Sequence, residues 1–242
     1  MNAFSYRVQT LQPSAIREIL KFTADPEVIS FAAGNPAPEA FPTEEIARIT
    51  NEILTTTPID ALQYSITEGY TPLRNWIKDD LKKKGMFNEN DEDVVITSGA
   101  QQAIEVVTKE ICNEGDTIIC EAPTFIGSLN AFRSYNAKLV GVEMEDDGIN
   151  IDKLEKALIE NPRTAFIYLI PNFQNPTGKT MSLEKRKAVL ALAQKYNVYI
   201  LEDNPYGDLR YIGENVPTIK SLDKNGNVPV SYTHLRAHET LM

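Results

Sequence analysis

From residue 93 to residue 203 the chain alternates short apolar segments with longer amphipathic ones, and this alternation limits the possible folds more than any other feature. "DVVIT" (93–97), "DTIICE" (116–121), "AKLVGVEM" (137–144), "TAFIYLI" (164–170) and "VYILED" (198–203) have strand length and are largely apolar. A strand that is apolar on both faces has no side to give to water, so something must cover both. Between these segments, "AQQAIEVVTKEIC", "TFIGSLNAFRSY", "DKLEKALIE" and "SLEKRKAVLALAQKYN" carry helical periodicity. Strands and helices in this order are βαβ units, and they predict an α/β three-layer sandwich around a mostly parallel sheet.

Before residue 93 the pattern is different. Residues 1–12 are mixed and aperiodic, like an arm, and "PSAIREILKF" then opens a helix at Pro13 or Ser14. "GNPAPEAFP" (34–42) has three prolines and predicts an extended loop. "TEEIARITNEIL" predicts a helix capped by Thr43, and "TPLRNWIKDDLKKKG" a helix stopped by Gly85.

Composition excludes several function classes. A net charge of −10 argues against nucleic acid as a partner, because neutralising phosphates needs a basic surface. The longest apolar run, "AFIYLI" (165–170), falls far short of the roughly 20 residues that span a bilayer. The first residues have no basic segment followed by an apolar one, so no signal peptide is read there. Cys112 and Cys120 lie in apolar surroundings and predict buried, reduced thiols, which suits a cytoplasmic protein.

In a sheet of this kind, ligands bind at the carboxyl ends of the strands. The first candidate strand ends in "TSGAQQA" (97–103), a small-residue turn entering a helix; free N–H groups and the helix dipole make such a turn suitable for a phosphate. It contains neither a dinucleotide fingerprint nor a P-loop. "EAPTF" (121–125) brings Phe125 to the same edge, where an aromatic can stack on a flat ring. In "PNFQNPTG" (171–178), five of eight residues are Pro, Asn or Gly, and Asn175 offers a side-chain amide. "EDNPYGDL" (202–209) places acids at the end of a buried strand, where a charge needs a partner, with Tyr206 close behind. An anion turn, an aromatic, an amide, a phenol and a buried carboxylate together suit a planar, phosphorylated, nitrogen-containing ring, and pyridoxal phosphate is such a molecule.

"ISFAAGNPAPEAFP", "ALQYSITEGYTPLR", "VVITSGAQQAIE", "EAPTFIGSLNAF", "YLIPNFQNPTG" and "ILEDNPYGDLRY" stand in this order along the chain. With these six motifs the sequence resembles the fold-type I pyridoxal-phosphate aminotransferases of class I/II, in particular the 2-aminoadipate and kynurenine aminotransferase subgroup. The resemblance runs from about residue 11 to about residue 229. It implies an N-terminal arm and small-domain portion over 1–42 and a partial cofactor-binding large domain over 43–230. Ser98, Gly99, Ala100 and Gln101 would form part of the phosphate cup, with Ala100 standing where many relatives have a serine. Phe125 would stack on the pyridine ring, Asn175 and Tyr206 would bond its 3-oxygen, and Asp203 would pair with its nitrogen. Tyr64 would reach the cofactor phosphate of a neighbouring subunit, which implies a homodimer. Gly34 would lie against the substrate carboxylate, and Arg17 could meet a distal carboxylate or be a solvated helix-face arginine.

The implied reaction is transfer of an amino group between an α-amino acid and a 2-oxo acid, with 2-oxoglutarate as the expected acceptor. Two alternatives share the motifs: β-lyase or decarboxylase chemistry on the same cofactor, and the effector-sensing domain of an aminotransferase-like transcription regulator. The family's Schiff-base lysine belongs in a segment shortly after residue 228, yet no lysine follows Lys224. In its place stands "SYTHLRAHETLM", which matches nothing in the family, so residues 231–242 are read as a non-native tail. The chain is therefore expected to be an inactive fragment of its parent enzyme. His234 and His238 are spaced for one helix face, but two ligands alone do not make a metal site, and none is expected.

Overall fold

The computed structural model describes residues 37–231, together with Ser5, Phe22 and residues 27–29. The predicted helix at 13–22, Arg17, Gly34 and the two histidines lie outside the described residues, apart from Phe22. The chain divides into two compact units, one ending at Leu73 and one running on from Arg74.

The first unit contains α1 (Thr43–Thr56) and α2 (Pro58–Leu62), preceded by a short 3-10 turn at Pro38–Ala40 inside the expected extended loop. Thr43 is not the cap of α1. The capping position belongs to Pro42, whose carbonyl accepts from the Ile46 N–H at 3.0 Å, and Thr43 is already the first helical residue. Helix α3 (Thr71–Lys83) leads into the second unit and ends as predicted. Gly85 takes φ +67°, with Gly85 N–H on Lys82 O and Met86 N–H on Leu81 O, a Schellman motif that only a residue tolerant of positive φ closes cheaply.

The second unit is built around β1 (Thr117–Ala122), β2 (Lys138–Glu145), β3 (Gly148–Ile149), β4 (Thr164–Leu169), β5 (Tyr199–Asp203) and β6 (Val230–Ser231). These form one sheet in the order β3-β2-β1-β4-β5-β6. Every pairing is parallel except the short β2–β3 turnback. Helix α4 (Ala100–Ile111) precedes β1, helices α5 (Ile126–Ser134), α6 (Ile151–Glu160) and α7 (Leu183–Tyr196) connect the strands, and α8 (Ile219–Leu222) precedes β6. The three-layer sandwich predicted by the apolar strands is present.

The period-two pleat divides the core into two clusters. Ile118, Cys120, Phe166, Tyr168, Ile170 and Leu201 face α4 and α5, packing on Ile104 and Phe132. Ile119, Val142, Ile167, Leu169 and Ile200 face α6 and α7, packing on Leu154, Leu158, Val189 and Ala193. Each fully buried aliphatic side chain contributes about 1.5–3 kcal/mol of transfer free energy, and together these two layers hold the strands' ends in register. Cys112 and Cys120 are buried and unbridged, as expected.

The expected strand at 93–97 is not formed. Among the described residues no neighbour pairs with it, and Val95 is 59 % exposed, so its backbone has no ladder to join. Arg74 holds the segment instead, donating to Val94 O at 2.7 Å and to the Asp93 carboxylate at 2.6 Å. No helix among the described residues is long and apolar enough to cross a membrane.

One buried cation connects the strand ends. Arg186, on α7, has no exposed surface, and its guanidinium donates to Met181 O (3.0 Å), Pro171 O (3.0 Å), Asn172 Oδ1 (2.7 Å) and Pro217 O (3.1 Å). Burial pulls its pKa down to about 10, with Glu202 opposing the shift, so it stays charged at neutral pH. Arg186→Met keeps most of the volume but leaves four acceptors to find new donors, each unsatisfied one costing about 1–3 kcal/mol. The expected outcome is a loss of at least about 3 kcal/mol, measured as a lower urea midpoint at unchanged slope; a shift below ~1 kcal/mol would show that these carbonyls are readily re-solvated.

Candidate functional site

At the carboxyl ends of β1, β4 and β5, Phe125 and Tyr206 pack against the α4/α5-side core, and Asp203 joins it through Tyr168. Gly99, the capping residue of α4, takes φ +81° and ψ 166°, a region open to glycine. The Ser98 N–H is already engaged by Gln102 Oε1, while Ala100 and Gln101 begin the helix, where backbone N–H groups have no intrahelical acceptor.

Phe125 caps α5, half-buried against the α4/α5-side core. A Cβ on Gly127 would lie 2.5 Å from Phe125 Cε1 and 3.0 Å from Gln101 Oε1. The glycine thus lets the Phe125 ring and the Gln101 side chain close over one backbone, with Gln101 Nε2 donating to Gly127 O at 3.3 Å. Across the edge, Asn175 Nδ2 donates to the Tyr206 hydroxyl at 3.3 Å, joining the loop after β4 to the loop after β5. Asn172 Nδ2 donates to Asn204 Oδ1 at 2.7 Å and joins the same two loops a second time.

Asp203 is 4 % exposed at the end of β5, where Oδ2 accepts from the Tyr168 hydroxyl at 2.7 Å. Its neighbour Glu202 faces the opposite side and accepts from the Ile219 and Lys220 N–H groups, capping α8. Burial pushes the Glu202 carboxyl up, opposed by those two backbone bonds.

Two site-edge groups escaped the sequence reading. Tyr168 reads in the sequence as one more apolar strand residue, although a phenol inside "AFIYLI" signals that a buried hydroxyl must find a partner. Glu121 is 2 % exposed at the end of β1; its Oε2 accepts from Ile170 N–H (3.1 Å) and from Gln174 Nε2 (3.3 Å). Gln174 also donates to Pro123 O at 2.8 Å and accepts from Thr177, so the Asn175 loop is tied to β1 as well. Burial raises the Glu121 pKa to about 8, with the nearby Asp203 charge adding to the rise.

Of the remaining expected residues, Tyr64 lies in the first unit with its side chain fully exposed. Gly34 and Arg17 are outside the described residues. Among the described residues no group of three His, Cys, Asp or Glu side chains is placed to hold a metal ion.

The fold and its strand ends define the class: an α/β domain with a mostly parallel sheet, a glycine turn into α4, a buried acid ending β5 and a paired amide and phenol in the loops after β4 and β5. The chain belongs to the aminotransferase class I and II family, whose model matches residues 26–234. It is 42 % identical over 229 residues to aromatic-amino-acid aminotransferase 1 of Thermococcus litoralis, covering 93 % of this chain and 55 % of that protein. It is 39 % identical over 228 residues to the 2-aminoadipate transaminase of Thermus thermophilus, with 94 % and 55 % covered. Among solved structures, the kynurenine aminotransferase of Pyrococcus horikoshii, determined with PMP, superposes with a TM-score of 0.87 at 38 % identity, covering 94 % of this chain and 57 % of that one. The chain thus spans about half the length of the curated relatives it matches.

The raised Glu121 pKa predicts a pH dependence of stability. The folded value, about 8, lies above the unfolded value near 4.5, so the folded state holds a proton that the unfolded state releases. The stability from keeping this acid neutral is full below about 4.5 and falls as pH rises towards about 8. Glu121→Gln should flatten that part of the stability profile and raise the melting temperature at pH 8 relative to the parent chain. Parallel profiles for the two proteins would show that Glu121 is ionised when folded.

Proposed function

We propose that this chain is the larger part of the cofactor domain of a pyridoxal-phosphate-dependent aminotransferase, with residues 43–230 as that domain. The parent enzyme moves an amino group between an α-amino acid and a 2-oxo acid, 2-oxoglutarate being the proposed acceptor. The observation that carries this reading is the buried Asp203 carboxylate, at the sheet edge shared with the Asn175–Tyr206 pair and the Gly99 turn, in a chain of the class I and II family. The donor set fits the cofactor, since each polar part of a phosphorylated pyridine has a chemically matched group in it.

When bound, the cofactor supplies an electron sink for charge that develops at the substrate Cα. Asp203 would hold the ring nitrogen in its protonated form, because a buried carboxylate favours an adjacent cation. Asn175 and Tyr206, already in contact, would both donate to the ring's 3-oxygen. Ser98, Gly99, Ala100 and Gln101 would receive the phosphate at the head of α4, where the helix dipole favours an anion. Phe125 would cover one face of the ring and exclude water from it. A homodimer, with Tyr64 of one copy serving the other's phosphate, belongs to the same proposal, as do Gly34 and Arg17 as substrate contacts. The chain alone is proposed to be inactive, because no lysine in it occupies a segment that matches the family's.

Titration of the chain with pyridoxal phosphate, followed by borohydride reduction and mass spectrometry, tests this. The expected result is reversible binding without a fixed adduct, weakened roughly tenfold or more by Asp203→Ala, as befits loss of a charge-assisted hydrogen bond. In the full-length gene product, the same substitution should depress amino transfer to 2-oxoglutarate far more than it raises KM. Unchanged binding and turnover in the variant would remove Asp203 from the site. A reduced adduct on one lysine of this chain would overturn the proposed inactivity.

A further inference from the structure

The Asp203 carboxylate is held from behind. Tyr168 stands on β4 beside Leu201 of β5, and Asp203 is two residues further along β5, so both side chains point to the α4/α5 face. The Tyr168 hydroxyl donates to Asp203 Oδ2 at 2.7 Å and accepts from Ser128 Oγ of α5 at 2.8 Å. Tyr168 has no exposed surface, Ser128 none either, and the phenol ring sits edge-on to Phe132 with centroids 5.3 Å apart. A phenol has one proton to donate. Because Ser128 already supplies a proton to the Tyr168 oxygen, the Tyr168 proton is directed at Asp203. Burial and the Asp203 charge both raise the Tyr168 pKa well above its ordinary value, so it remains a neutral donor throughout the physiological range.

We propose that Tyr168, oriented by Ser128, is a positioning residue that keeps Asp203 ionised and fixes the direction in which its carboxylate meets a cationic ring nitrogen. This inference rests on the cofactor reading of Asp203 given above. The requirement is physical: Asp203 is buried with Glu121 as its acidic neighbour on β1, and burial alone favours the neutral acid. The Tyr168 hydrogen bond opposes this without adding a charge of its own, which a lysine or arginine in the same place would do.

Tyr168→Phe removes the hydroxyl and keeps the ring packed on Phe132; Ser128→Ala removes the support and keeps the phenol. The first arm needs no cofactor. In the 242-residue chain with 13C-labelled aspartate, the Asp203 carboxyl signal is followed with pH, and Asp203→Asn assigns it. The titration is repeated with Glu121→Gln, because the Glu121 charge acts on both Asp203 and Tyr168. Tyr168→Phe is expected to raise the Asp203 midpoint by about one unit, a tenfold change in proton affinity, and Ser128→Ala to raise it by less in the same direction. In the second arm, ring-15N pyridoxal phosphate is added, and the pH at which the bound ring nitrogen loses its proton is expected to fall by a similar factor in Tyr168→Phe.

A purely structural role would lower thermal stability and leave both midpoints in place, and that result overturns the proposal. If Tyr168→Phe does not fold, the Ser128→Ala midpoint decides alone: an upward shift supports the relay and no shift refutes it. If Asp203→Asn leaves the 15N profile unchanged while the first arm behaves as expected, the cofactor reading fails but the Tyr168–Asp203 coupling stands. If Asp203→Asn moves the 15N profile and Tyr168→Phe moves neither midpoint, this inference fails by itself.

Discussion

The sheet edge depends on a buried cation. Arg186 sits on a helix packed beneath the sheet, yet its four bonds reach the residue leaving β4, the loop beyond it, the start of α7 and the segment before α8. Removing a guanidinium from water is unfavourable unless its donors are met, and here carbonyl and amide oxygens meet them. Those oxygens, three from backbone and one from the Asn172 side chain, belong to segments with little regular secondary structure of their own. The arginine therefore does for these loops what ladder hydrogen bonds do for strands. Asn172 passes the constraint on, accepting from Arg186 and donating to Asn204 next to Asp203.

A second set of ties reaches the same loop. Glu121 and Gln174 connect the end of β1 to Ile170 and to the residue before Asn175, and Arg210 stacks on Phe173 with its guanidinium carbon 4.7 Å from the ring centroid. Phe173 itself holds φ +48°, a strained conformation for a bulky residue that persists because its neighbours are over-determined. Asn175 is thus presented by a rigid loop. Its 3.3 Å contact with Tyr206 follows from the two loops being fixed independently.

Much of this was legible in the sequence, and where it was not the reasons are physical. The wholly apolar strands demanded two covering layers, and the two-layer core followed. The same rule failed at 93–97, because composition reports a segment's capacity to be a strand and says nothing of whether a neighbour is there to pair with it. Thr43 is one residue past the cap because α1 already begins there, its first bond closed on the Pro42 carbonyl with no side-chain cap. Asp203, Asn175, Tyr206 and Phe125 were reachable because polar or aromatic residues stand out at apolar strand ends. Tyr168, Ser128 and Arg186 were not, because their partners lie 35, 40 and up to 31 residues away along the chain, and only the folded register brings them together.

Glu202 and Asp203 illustrate how finely that register divides labour. The two acids are adjacent and both buried, and composition cannot distinguish them. The pleat sends them to opposite faces. On the α6/α7 side, Glu202 meets the backbone N–H groups that open α8 and becomes part of the scaffold. On the α4/α5 side, Asp203 accepts from the neutral Tyr168 hydroxyl, in the same layer as Phe125. A one-residue slip of β5 would exchange these roles, leaving α8 without its cap and moving the carboxylate to the wrong side of the sheet. The in-register β4–β5 pairing, from Phe166↔Tyr199 to Leu169↔Glu202, is therefore a condition of the site as much as of the fold.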